Sequence, residues 1–184
     1  MTITTPVILF TFAALVVAFL VTRLAFSLRA YLKMRGKRLV VCPETRKYVA
    51  VELNAPRAAE KAFFGSPYFR LSDCTRWPER QDCGQECLRQ IELAPEECLV
   101  KTFVSRWDEG KKCVYCGKPI PAVDWVGHKP ALMNEEKKTV YWDSVPPESL
   151  PEVFSKCLPV CWDCHITETF RHEHPDMVVD RPAH

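Results

Sequence analysis

Two pairs of cysteines, each separated by two residues, are the part of this sequence best suited to chemistry. The first pair is Cys113-Val-Tyr-Cys116, followed directly by Gly117, and the second is Cys161-Trp-Asp-Cys164. Two such pairs can supply four thiolates to one tetrahedral zinc ion. The two-residue gap lets backbone N–H groups face the sulfurs, and Gly117 suits the left-handed backbone that such a knuckle needs. We therefore predict a metal site formed by Cys113, Cys116, Cys161 and Cys164, the alternative being reduced cysteines that only fill space.

A second, more dispersed group of cysteines lies earlier in the chain. Cys42-Pro43 follows a predicted strand, and Cys83-Gly-Gln-Glu-Cys87 places two thiols four residues apart, on one face of a predicted helix. Together with Cys74 they make four more thiols. Because these four cysteines come from distant segments, their spacing alone does not define a site. We regard Cys42, Cys74, Cys83 and Cys87 as a candidate second metal site.

The C-terminal cysteines belong to a longer pattern that contains two histidines. Residues 124–130 read Asp-Trp-Val-Gly-His-Lys-Pro, and His165 directly follows the last cysteine of the second pair. From residue 113 to about residue 170 the pattern resembles the HNH endonucleases, which have a zinc-braced, treble-clef-like fold. The resemblance implies that His128 is a general base and that His165 is a ligand of a catalytic divalent metal, beside a structural zinc. Gly127 stands where the family has a metal-binding carboxylate, so the zinc scaffold is implied more directly than the activity.

The second cysteine pair also allows two redox interpretations. Cys161-Trp-Asp-Cys164-His165 fits the Cys-x2-Cys-His pattern for covalent c-type haem, with His165 as the axial ligand. Alternatively, the four cysteines of the two pairs could hold iron or an iron–sulfur cluster. Zinc is the cofactor that we expect, and iron, an iron–sulfur cluster and haem c are the alternatives.

The N-terminal segment determines the compartment in which these cysteines lie. Residues 1–22 carry no charged side chain, and about 20 apolar helical residues cross a bilayer core. A secretory signal peptide has basic residues before its apolar run, whereas here they all follow it: Arg23, Arg29, Lys33, Arg35, Lys37 and Arg38. The positive-inside rule therefore predicts an inner-membrane protein with its N-terminus outside and its remaining chain in the cytoplasm. A reducing compartment favours thiolates around metal over disulfides.

The rest of the chain predicts one small α+β domain. A hairpin is predicted over residues 39–53, followed by helices and, after residue 112, by short strands, knuckles and a last helix. The predicted helices cover residues 54–64, 84–93, 96–107 and 166–172, with irregular structure over residues 71–80. We divide the chain into a transmembrane helix (1–22), a basic juxtamembrane stalk (23–38), a hairpin with helices and a cysteine cluster (39–110), a treble-clef or zinc-ribbon-like knuckle domain (111–172) and a flexible tail (173–184).

The composition favours a binding module over a nucleic-acid protein. The net charge of the 184 residues is only +2, which provides no basic field for nucleic acid. All ten cysteines follow the apolar run, and 15 prolines against 6 glycines indicate short elements with fixed turns. We expect a non-catalytic metal-binding subunit that contacts the lipid bilayer and a membrane-protein partner. An HNH-like nuclease and an electron-transfer protein are the alternatives. Four aromatic residues are predicted to lie in the core, the alternative being a contact surface: Trp107, Trp125, Tyr141 and Trp142.

Overall fold

The apolar N-terminal run forms one long helix, α1 (Thr4–Met34). The computed structural model describes residues 4–66, 68–80, 82–125, 127–129 and 131–177. From Val7 to Met34 the helix is long and apolar enough to cross a membrane, and its most apolar stretch buries no side chain against the rest of the chain. Residues 23–34, which the sequence predicts as a stalk, continue this same helix.

A buried arginine ends α1 and joins it to the domain. The Arg38 guanidinium donates hydrogen bonds to the carbonyl oxygens of Lys33 (2.6 Å), Met34 (2.8 Å) and Gly36 (3.1 Å). The carbonyls of Lys33 and Met34 belong to the last turn of the helix, whose acceptors have no partner within the helix. Arg38 is fully buried, so this member of the basic flank holds the helix end in place and does not face lipid headgroups.

A second helix, α2 (Ala55–Phe63), packs beside α1. It begins as predicted, because the Asn54 side chain accepts a hydrogen bond from the Arg57 N–H at 3.1 Å. The Ser27 hydroxyl of α1 donates to the Ala59 carbonyl at 2.9 Å. The domain therefore contacts the C-terminal part of α1 directly.

The first sheet has three antiparallel strands in the order β1 (Arg38–Val41), β2 (Tyr48–Leu53) and β3 (Leu71–Cys74). The predicted hairpin is confirmed as β1 and β2. The prediction of irregular structure over residues 71–80 is wrong at its start, where β3 pairs Cys74 with Val51. Its central residues are exposed and polar, so the short strand shows no apolar alternation.

Two short helices follow, and both begin later than predicted. They are α3 (Leu88–Leu93) and α4 (Val100–Asp108). Gln85 has a left-handed backbone (φ 56°), which no helix contains, and its side chain accepts the Leu71 N–H at 3.2 Å. The prediction that Cys83 and Cys87 share a helix face is therefore wrong.

The C-terminal half contains the predicted short strands and final helix. Its sheet has the order β5-β4-β6, and two further helices flank the last strand. These elements are β4 (Ala131–Met133), β5 (Thr139–Tyr141), α5 (Leu150–Lys156), β6 (Leu158–Val160) and α6 (Trp162–Glu173). Trp107, Trp125 and Trp142 pack on the core of Leu132, Leu150 and Phe154, as predicted. Most of the predicted tail, residues 178–184, lies outside the described residues.

Candidate metal centre

The first cysteine pair occupies a tight loop closed by backbone hydrogen bonds. The Cys113 N–H donates to the Lys118 carbonyl at 2.9 Å, and the Gly117 N–H donates to the Cys113 carbonyl at 2.9 Å. Gly117 has the predicted left-handed backbone, with φ 67°. An added Cβ at Gly117 would meet no atom within 4 Å, so the backbone angle, and not crowding, calls for glycine. The loop buries Cys113 and leaves Cys116 exposed.

The second pair lies where β6 passes into α6. Cys161 is the residue before the helix and has an extended backbone, while Cys164 lies in the first helical turn. The Val114 N–H donates to the Pro159 carbonyl at 3.1 Å, which joins the first loop to β6. This backbone contact helps to bring together two pairs that are far apart in the sequence.

The four sulfurs converge on one point. The Sγ atoms of Cys113, Cys116, Cys161 and Cys164 all lie within 4.8 Å of one another, and those of Cys116 and Cys161 are 3.8 Å apart. Four thiolates bound tetrahedrally at about 2.3 Å from zinc have sulfurs about 3.8 Å apart. The predicted ligand set is therefore assembled with spacings that suit a metal ion.

The electrostatics of this cluster favour a bound cation. Burial raises the pKa of Cys164, and the neighbouring thiols of Cys161, Cys113 and Cys116 raise it further. Burial also acts on Cys113, but the backbone N–H groups of Cys116, Cys161 and Tyr115, with the Cys161 thiol, lower its pKa to about 7. Like charges this close oppose one another, so complete ionisation of the cluster calls for a positive ion among the sulfurs.

The two histidines of the HNH-like pattern lie beside the cysteine cluster in different surroundings. His165 is buried, its ring lies 4.1 Å from that of Tyr141, and burial lowers its pKa. His128 is exposed, 4.0 Å from an Asp124 carboxylate oxygen, and its ring lies 4.5 Å from that of Trp162. Among the described residues, the group of potential metal ligands that comes together contains the four cysteines and neither histidine.

The second cysteine group surrounds a single cavity of about 120 Å³. Cys74 and Cys87 are buried, whereas Cys42 and Cys83 are half-buried. Burial raises the pKa of Cys87 to about 11, and the nearby thiols of Cys74, Cys83 and Cys42 add to this increase. The four predicted residues are therefore neighbours, although within the described part of the chain only the first group has all its sulfurs within 4.8 Å.

Arg76 is part of this second group, although no motif in the sequence predicts it. Its Nη1 donates to the Cys42 Sγ at 3.2 Å and to a Glu44 carboxylate oxygen at 2.5 Å. Burial acts to raise the pKa of Cys42, but the N–H groups of Thr45 and Glu44, the Thr45 hydroxyl and Arg76 lower it below its usual value. The position of Arg76, two residues after Cys74, is the only feature of the sequence that points to this contact.

No protein-family model, curated protein or solved structure matches this chain. The HNH-like resemblance therefore stays a prediction. The function has to be inferred from the geometry of the two cysteine groups and from the long apolar helix.

Proposed function

We propose that this protein is a membrane-anchored zinc-binding module that acts as a non-catalytic subunit of a membrane complex. The convergence of four thiols within 4.8 Å carries the proposal. Cys113, Cys116, Cys161 and Cys164 provide all four positions of a tetrahedral zinc site. A site closed by protein ligands leaves no position for a reacting water, which is the property of structural zinc. The zinc-knuckle interpretation of the C-terminal half follows from this ligand set.

The location of the module follows from α1 and its flank. The apolar part of the helix lies in the inner membrane, and five exposed or half-exposed basic residues follow it: Arg23, Arg29, Lys33, Arg35 and Lys37. Basic residues on that side favour the cytoplasm for the domain. There the thiols stay reduced and available to metal.

The contact between α1 and the domain supports an adaptor role. The Ser27–Ala59 hydrogen bond and the Arg38 cap attach the domain to the end of the membrane helix. The large apolar side chains of α1 from Val7 to Leu32 are exposed, so they are available to lipid and to the helices of a membrane-protein partner. Zinc then keeps the attached domain folded at the membrane surface.

Metal analysis and absorption spectroscopy of the full chain in detergent micelles test the proposal. We expect bound zinc without visible absorption bands, and loss of this zinc in C161S/C164S. The double variant C98S/C157S is the matched control, because Cys98 and Cys157 belong to neither group, and it should retain the metal. A Soret band would indicate haem, and sulfur-to-iron charge-transfer bands would indicate iron or an iron–sulfur cluster; either result overturns the zinc proposal.

The orientation has a separate test. Cysteine residues of the full-length protein in intact cells should resist a membrane-impermeant maleimide and react after the cells are permeabilised in the presence of a chelator. Labelling from outside would reverse the orientation.

A second candidate function is the HNH-like nuclease, favoured by two contacts of His128. His128 lies against Trp162, which is within the second cysteine pair, and beside Asp124. A general base near a zinc-braced helix is the arrangement that the family resemblance implies. DNA cleavage with added Mg²⁺ that disappears in H128A would support this function. No cleavage by the parent protein would end it.

A further inference from the structure

The loop after β1 repeats the hydrogen bonds of the knuckle at Cys113. In each loop the cysteine N–H donates to the carbonyl five residues later, and the N–H four residues later donates back to the cysteine carbonyl. The bonds are Cys42 to Lys47 (2.8 Å) and Arg46 to Cys42 (2.8 Å) in one loop, and Cys113 to Lys118 (2.9 Å) and Gly117 to Cys113 (2.9 Å) in the other. Arg46 and Gly117 share the left-handed backbone, with φ 57° and 67°. Cys42 therefore lies in a turn, between β1 and β2, that has the same backbone hydrogen bonds as the knuckle at Cys113.

The surroundings of the Cys42 sulfur also match those of Cys113. In both loops the backbone N–H groups two and three residues after the cysteine face its sulfur. The position that Cys116 occupies in the first knuckle is occupied here by Thr45. A knuckle with one cysteine must take its other ligands from other segments of the chain.

Three other cysteines face the same cavity as Cys42. Cys74 ends β3, Cys87 directly precedes α3, and Cys83 lies in the loop between them. The cavity of about 120 Å³ also has Val49 and Trp77 in its wall. This volume exceeds the share of one water in liquid, about 30 Å³. The cavity is thus large enough for an ion, and the four sulfurs must draw closer together to reach the spacing of the first group.

Two arginines complete the charge environment of this cavity. Arg76 contacts the Cys42 sulfur and a Glu44 oxygen, and Arg80 lies 3.3 Å from the other Glu44 oxygen. Four thiolates around a divalent ion carry a net charge of −2. A guanidinium that donates to one of the thiolates offsets part of this charge and orients the ligand, as groups around metal ligands generally do.

We infer that Cys42, Cys74, Cys83 and Cys87 bind a second thiophilic divalent ion, for which Zn²⁺ is the natural occupant. Each thiol gives its proton to solvent when the ion binds, and the sulfurs contract around it. This second centre is independent of the first, because it uses other residues, other strands and another part of the core.

The test is the zinc stoichiometry of the full chain in detergent micelles. We expect two zinc ions per chain, one in C42S/C74S, one in C113S/C116S and two in the control C98S/C157S. One zinc ion in the parent, retained in C42S/C74S and lost in C113S/C116S, overturns the second centre and leaves the proposed function intact. One zinc ion in the parent, lost in C42S/C74S and retained in C113S/C116S, upholds the second centre and overturns the first.

Because serine variants can misfold, the parent protein provides a second measurement. Iodoacetamide treatment followed by peptide mass spectrometry should find all eight cysteines of the two groups protected when zinc is bound and reactive after chelation. Alkylation of Cys42, Cys74, Cys83 and Cys87 with zinc bound at the first group overturns the inference. A disulfide between any two of these four in the protein as isolated from the cell also overturns it.

Discussion

The two cysteine groups differ in how the chain assembles them. The first group consists of two local pairs, each with its cysteines within one turn, and the backbone hydrogen bond from Val114 to Pro159 is one of the contacts that join them. In the second group one cysteine lies in the turn between β1 and β2, and the others lie at the end of β3, in a loop and before α3. The first group is encoded by spacing along the chain, whereas the second depends on the register of the sheet.

The apolar cores beside the two groups also differ. Next to the first group, three buried residues form a small cluster: Cys113, Ala131 and Val160. The second group lies against a larger cluster that includes Val40, Val51, Leu53, Leu71 and Ile91. Since small cores depend more on staples, the two regions should differ in their need for metal.

The largest effect that we predict is loss of the C-terminal structure when the first group loses its metal. In C161S/C164S the β5-β4-β6 sheet should lose its protection against hydrogen exchange at Ala131 and Val160, the two residues of this small cluster that lie in the sheet. The amides of Val40 and Val51, in the first sheet, should keep most of theirs. A structural zinc ion contributes on the order of 10 kcal/mol to folding. Amide exchange followed by mass spectrometry provides the measurement, and equal loss in both sheets would refute the difference between the regions.

The next effect concerns a carboxylate that belongs to neither group. Asp108 ends α4, is 3% exposed, and burial raises its pKa to about 6, with Lys111 acting in the opposite direction. Its charge also lies at the negative end of the helix dipole. Because the folded-state pKa is raised, the folded protein binds this proton more tightly than the unfolded chain does. The Asp108 contribution to stability is thus favourable below about pH 4 and is lost as pH rises to about 6.

The variant D108N should remove this pH dependence. We expect stabilisation of at most about 3 kcal/mol above pH 6 and little change near pH 4. Acid also releases the metal, which lowers the stability of variant and parent alike as the pH falls. The quantity to compare is therefore the difference in free energy of unfolding between variant and parent at each pH. Glu109→Gln, which changes an exposed neighbour, is the control. A difference that does not vary with pH would show that Asp108 is not buried as a charge.

A smaller effect should distinguish the two groups through Arg76. In R76A the second centre loses the donor to the Cys42 sulfur, and groups of this kind change metal affinity by about 10- to 100-fold. Competition with a coloured chelator should show a lower zinc affinity at the second centre and an unchanged affinity at the first. R76K keeps the charge without the planar fork and should lose less, and R171A, at an exposed ion pair on α6, should lose nothing. Equal weakening of both sites would contradict the assignment.

The sequence predicts the features that depend on neighbouring residues. The hairpin, the Asn54 cap and the Gly117 turn all follow from local preferences, and the structure contains each of them. The features that it does not predict depend on distant partners. In the sequence, Arg38 is one of several basic residues after the apolar run and resembles the others. Its role as a helix cap depends on β1, which places its side chain against the end of α1.

The loop before α3 shows the same limit. Residues 84–93 have the composition of a helix, yet the first four of them do not adopt one. Gln85 takes a left-handed backbone, and its side chain binds the N–H of Leu71. A contact across 14 residues therefore overrides the local preference.

The smallest predicted effect compares the two knuckle turns directly. Gly117 and Arg46 occupy equivalent left-handed positions, but one is glycine and the other carries a side chain. A non-glycine residue in this conformation costs about 1 kcal/mol. We therefore expect G117A to destabilise the first turn by about 1 kcal/mol and R46G to stabilise the second by less than that, since glycine also gains freedom in the unfolded chain. Chemical denaturation of the zinc-bound protein measures both changes.

The comparison depends on the free energy of unfolding changing in opposite directions in G117A and R46G. Gly36, which also has a positive φ (98°) but lies outside both loops, serves as the control through G36A. If the Cys42 loop is a metal knuckle, R46G should leave zinc binding at the second group unchanged, because the backbone keeps its hydrogen bonds. If R46G weakens zinc binding there without destabilising the sheet, the Arg46 side chain and not the turn supports the site, and the equivalence of the two loops fails.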